Sequence, residues 1–176
     1  GLVIVPEHVP EEGWSLIACD EASGNLRWQE TLYGDVLAGP MLLNDRLHMT
    51  IAHVERGRLH VSIQTFDPRD GALLDKRSVA GFYADPRLHL ETALSSWQGE
   101  VILRTGNSLF AVDAEGPRWL HKFAAIPVDH LRAPDLQHSQ PPLVIGDSII
   151  IHALGSGGVH CVDAATGRLR WEYVEP

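Results

Sequence analysis

A chain of 176 residues with 44% hydrophobic and 21% charged side chains has the length of one domain and the composition of ordinary globular protein, which excludes a disordered tail and a fibre. Its 14 basic residues against 23 acidic ones leave a net charge of −9, opposed to a nucleic-acid backbone and to an anionic membrane surface. No apolar run approaches the roughly 20 residues that span a bilayer.

In chain order, GLVIVP is too short for a signal peptide and lacks its basic flank, so it reads as a strand entered part-way. The first patterned segment is LIACDEASGNLRW, residues 16–28: an apolar run, an Asp–Gly turn, then an outer strand closing on Trp28. MLLNDRLHMTIA follows, two strands meeting at a corner on Asn44-Asp45, and then IQTFDPRDGALLD, a second copy of the turn ending at Asp75. ALSSWQGEVILRT turns at Gln98-Gly99 and leads into LFAVDAEGPRW, residues 109–119. PPLVIGDSIIIHAL turns at Gly146-Asp147 and leads into HCVDAATGRLRW, residues 160–171.

The turn residues Asp20, Asp67, Asp113 and Asp163 are 47, 46 and 50 positions apart. Each can accept hydrogen bonds from amides two or three residues on, and Gly24, Gly71, Gly116 and Gly167 supply positive φ. Four antiparallel strands in a period of about 45 residues predict an all-β fold of propeller blades. The blades are expected over about 2–33, 38–80, 90–123 and 139–174. The first lacks its innermost strand. Four blades are too few for loops of this length, so the expectation is an open segment of a seven- or eight-bladed propeller, its remaining blades in flanking sequence or a second copy.

The string D-x-x-[ST]-G-x-x-x-W resembles the pyrroloquinoline-quinone-like repeats of quinoprotein propellers, and the pattern covers residues 2 to 174. The resemblance implies that Trp28, Trp119 and Trp171 are wedges docking one blade on its neighbour. Trp171→Ala should then cost about 3–5 kcal/mol. The third copy, Asp113-Gly116-Trp119, has a shortened turn, and the second has Asp75 where Trp is expected, which predicts a looser junction.

Ten histidines show no ligand-grade spacing, so no metal site is expected. Cys19 and Cys161 are neither adjacent nor in a CxxC pair and read as two buried free thiols without a disulfide. The longer connections, Pro6–Gly13, His53–Arg58, Gly81–Thr92 and residues 124–142, all fall on one face of the fold. They make His53, Arg87, His89, Asp129, His130, Arg132 and His138 the candidate binding residues.

The favoured reading is a noncatalytic scaffold or sensor segment of a larger bacterial protein that binds protein, with no catalytic, cofactor or metal residues and no membrane insertion in this segment. The resemblance implies an extracytoplasmic location, periplasmic or in the cell envelope. Its second implication is a dehydrogenase holding pyrroloquinoline quinone with calcium, which the missing adjacent cysteine pair and the small blade number argue against. A carbohydrate-binding reading rests on Trp14, Trp97 and Tyr83, aromatics outside the repeat.

Overall fold

A computed structural model describes residues 1–83, 92–123, 140–153 and 158–174. Among the described residues there is no helix, and hence none long and apolar enough to cross a membrane. The fold is all-β, as the repeat predicts, with four antiparallel sheets. The first contains β1 (Leu2–Val9), β2 (Gly13–Asp20) and β3 (Leu26–Leu32). β4 (Asp35–Leu43), β5 (Arg46–Glu55), β6 (Arg58–Phe66) and β7 (Leu73–Tyr83) form the second. β8 (Thr92–Trp97), β9 (Glu100–Thr105), β10 (Ser108–Val112) and β11 (Pro117–Lys122) form the third. The fourth is β12 (Leu143–Ile145), β13 (Ser148–Ala153), β14 (Gly158–Asp163) and β15 (Leu169–Val174).

The chain divides into two compact units, Gly1–Pro86 and Arg87–Pro176, each holding two sheets. In the first unit Leu16 and Leu32 pack with Leu47, Met49, Ile51 and Phe66 of the second sheet. In the other, Ile102, Leu109, Ala111 and Phe123 pack with Ile149, Ile151, Val162 and Ala164. Strand alternation explains both cores, since residues two apart share a face.

Hairpin chemistry sets the strand lengths and corrects the loop reading. At Asn44-Asp45, Arg56-Gly57 and Gln98-Gly99 both central residues have positive φ, between 48° and 85°, the backbone that matches strand twist in two-residue hairpins. Arg56-Gly57 therefore closes β5 onto β6, and His53 lies within β5 opposite His60 instead of in a binding loop. Pro6–Val9 likewise belongs to β1, which turns through Pro10–Glu12 with the Glu12 amide on the Val9 carbonyl at 3.1 Å. Arg87, His89, Asp129, His130, Arg132 and His138 lie outside the described residues.

Candidate interaction surfaces

In all four Asp–Gly turns the Asp side chain accepts backbone amides, and the shortened third turn differs in its glycine, with φ of 134° at Gly116. Asp20 Oδ1 accepts the amides of Ala22 and Ser23 at 3.1 and 3.0 Å and the Ser23 hydroxyl at 3.0 Å. Asp163 Oδ1 accepts the Thr166 amide and hydroxyl at 2.9 and 2.8 Å. Asp67 takes the Arg69 amide, and Asp113 those of Glu115 and Gly116. Gly24, Gly71 and Gly167 each donate their amide to the turn Asp carbonyl at 2.8–2.9 Å, with φ between 69° and 78°.

Beyond each turn the outer strand carries a bulge, where Ala18/Cys19, Thr65/Phe66, Ala111/Val112 and Cys161/Val162 shift register. The extra residue re-aims its side chain. Arg27 thereby reaches Asp20 Oδ2 at 2.8 Å, and Arg170 reaches Asp163 Oδ2 at 2.5 Å. The arginine first and the turn donors second hold the Asp163 carboxyl at about 2, and they hold that of Asp20 well below the usual carboxylate range. In the third sheet Arg118 instead meets Glu100 at 2.9 Å, its guanidinium lying over the Trp97 ring. Sequence reasoning missed these arginines, although the dipeptide Arg-Trp at 27–28, 118–119 and 170–171 signals them.

Within each unit the Trp of one sheet docks on the turn of the next. Trp28 Nε1 donates to the Pro68 carbonyl at 3.2 Å, and a Cβ built on Gly71 would stand 2.7 Å from its ring. Trp119 Nε1 donates to the Ala164 carbonyl at 3.0 Å, and a Cβ on Gly167 would stand 2.6 Å from that ring. In both cases the acceptor is the residue after the turn Asp. Glycine is thus needed twice over, for its φ and for the ring against it. His121, two residues beyond Trp119, adds a 2.8 Å hydrogen bond to the Gly167 carbonyl. His160, buried beside Phe123 with ring centroids 4.8 Å apart, is held below its usual range by burial, partly offset by Glu172.

Trp171 departs from the wedge expectation: it is 48% exposed. It lies in register with Cys161 and Ile150, on the face of the fourth sheet opposite Ile149, Ile151 and Val162. By alternation Leu143, Ile145 and Tyr173 share that face, and all three are exposed. The first sheet has a comparable face: Val3, Val5 and Leu26 are exposed on the side away from Ile4, Leu16 and Trp28. At its turn, a Cβ on Gly24 would meet nothing within 4 Å. An apolar groove of about 470 Å³ also opens between Leu2 and Ile4 of β1 and Pro40, Leu42, Leu47 and Pro68.

The remaining candidates have local roles. Trp97 is buried and donates to the Gly146 carbonyl at 3.0 Å, Trp14 stands edge-on to His8, and exposed Tyr83 carries Arg58 over its ring. Asp75, at the Trp position of the second sheet, pairs with Arg77 at 2.5 Å. Cys161 is a buried free thiol, whereas Cys19 is only half-buried. Among the described residues no three His, Cys, Asp or Glu side chains are placed to hold a metal ion, and the cysteines sit in different units. The described residues therefore do not fit a quinone–calcium site with its cysteine pair.

A family model described as "Outer membrane protein assembly factor BamB" matches residues 51–173. No curated protein matches the chain. Among solved structures, BamB from Moraxella catarrhalis superposes with a TM-score of 0.61 at 16% identity, over 99% of this chain and 52% of that one. A protein from Lactobacillus plantarum superposes with a TM-score of 0.57 at 13% identity, again over 99% and 52%. The chain thus spans about half the length of these structures. With the match covering most of its residues and an Asp–Gly turn in each of the four sheets, the chain belongs to the BamB-type family of pyrroloquinoline-quinone-like propeller repeats.

Proposed function

We propose that this chain is a noncatalytic propeller segment that serves as a protein-binding scaffold in the bacterial cell envelope, outside the cytoplasm. The observation that carries the reading is the pair of unpacked apolar sheet faces, Val3, Val5 and Leu26 on one and Leu143, Ile145, Trp171 and Tyr173 on the other. Contiguous exposed apolar surface on a folded protein marks a place where another protein sits. Further blades are its first partners, since the chain spans about half of each solved relative. The description of the matching family model, an assembly factor of the outer membrane, supports both the scaffold role and the location.

A photo-crosslinking residue at Val5 or Ile145, expressed in cells, should trap envelope proteins, while the same residue at Lys76 on the solvated outer strand β7 should not. Purified protein incubated with quinone and calcium should remain without dehydrogenase activity. Absence of crosslinks from both faces, or a stoichiometric quinone-dependent turnover, would overturn the reading.

A further inference from the structure

We infer that the clasp holding the third sheet on the fourth opens in mild acid, when His160 takes up a proton, whereas the clasp holding the first sheet on the second does not. Each clasp lies within one of the two units, and neither depends on what the chain binds. His160 is 3% exposed, yet histidine is the side chain whose charge ordinarily changes between pH 5 and 8. Its ring lies against Phe123, centroids 4.8 Å apart, and Phe123 lies against His121 at 4.7 Å. His121 lies in β11, two residues beyond docked Trp119, and His160 in β14, so this row of rings bridges the two sheets.

A neutral His160 fits this row, but a charged one loses its hydration and gains little in return. Glu172, opposite it on β15, comes within 3.5 Å of Nδ1 but is exposed, so solvent screens the pair. His121 on β11 and His152 on β13 both oppose a positive charge there. Arg104 on β9 stands opposite Leu109, as His121 does, which sets a fixed positive charge on the same face of the third sheet. The other charged groups along the contact are taken up in pairs, Asp163 with Arg170 and Glu100 with Arg118. The bond from His121 to the Gly167 carbonyl survives acid, because a carbonyl only accepts and Nδ1 carries its hydrogen in the neutral ring as in the charged one. His160 is therefore the sensitive member.

The first unit makes the same docking contact without histidine. Counted from the turn Asp, Gln64 stands where His160 does, and Lys76 opposite it where Glu172 does. Counted from the docked Trp, Glu30 replaces His121 and Leu32 replaces Phe123. Gln64 is nearly as buried, at 5% exposed, and its amide gains no proton between pH 5 and 8.

Hydrogen exchange of the purified chain, followed by mass spectrometry at about pH 7.5 and about pH 5 and corrected for intrinsic rates, tests the difference between the units. Opening of β11 and β14 should rise at least about tenfold and at most about thirtyfold, the limit set by an opened histidine titrating at the ordinary 6.5. Opening of β3 and β6 should change by less than about threefold. His160→Gln, the residue the first unit uses, should keep the neutral protection and lose the acid rise. Glu172→Gln, at an exposed position, should move the opening to higher pH, because it removes the carboxylate that favours a charged His160, and it decides the matter if His160→Gln does not fold. Equal acid opening in both units, an acid rise that persists in His160→Gln, or an opening unmoved in Glu172→Gln would overturn the acid-sensitive clasp. None of these results bears on the crosslinking of envelope proteins that tests the scaffold reading.

Discussion

Two glycines with nearly the same backbone separate the demands that the repeat makes on one position. Gly24 and Gly167 have φ of +71° and +69°, but only Gly167 lies under a tryptophan ring. Alanine at Gly24 should cost the left-handed backbone strain alone, about 1–3 kcal/mol. Alanine at Gly167 should cost more, because its Cβ would displace Trp119; equal losses in denaturant titrations would mean that the ring is not seated there. The turn carboxylates make a pH prediction. Asp163 is held at about 2 against an ordinary 3.8, so its ion pair with Arg170 stabilises the fold fully above pH 4 and is lost as pH falls toward 2. The stability gap between wild type and Arg170→Gln should therefore close over that window. A gap constant from pH 5 to pH 2 would contradict the assignment. Buried His160 acts earlier: its value is depressed, so the unfolded chain takes up its proton first, and stability declines as pH falls below the ordinary 6.5.

At the scale of the element, the turns and the strands that flank them were legible because their physics is local. An Asp that accepts amides two and three residues on, a glycine at positive φ and an apolar alternation can all be read without knowing a neighbour. The bulges were not legible. Strict alternation sets Arg27 and Arg170 apart from their turn carboxylates, and only the register shift after Ala18 and Cys161 brings them together. His53 went to a loop because Arg56-Gly57 lacks the familiar Asn-Gly signature, although it adopts the same pair of positive φ values. The cysteines offer a check on strand burial. Half-buried Cys19 should be alkylated in the native protein well before buried Cys161, and equal rates, read by peptide mass spectrometry, would place both strands wrongly.

For the molecule as a whole, period and composition carried the fold class, since a repeated unit unable to bury its own faces has to stack. The candidate site was much less legible. Which tryptophan is covered depends on the turn packed against it, and the same D-x-x-[ST]-G-x-x-x-W string ends in docked Trp28 and in exposed Trp171. The central claim, that Trp28 and Trp119 each dock on the next turn of their own unit while Trp171 is exposed, is tested most directly by comparing Trp119→Ala with Trp171→Ala in equilibrium unfolding. Trp119→Ala should lose about 3–5 kcal/mol, as large core truncations do, and Trp171→Ala should stay within about 0.5 kcal/mol of wild type, as exposed substitutions do. Equal losses from the two variants would contradict the account.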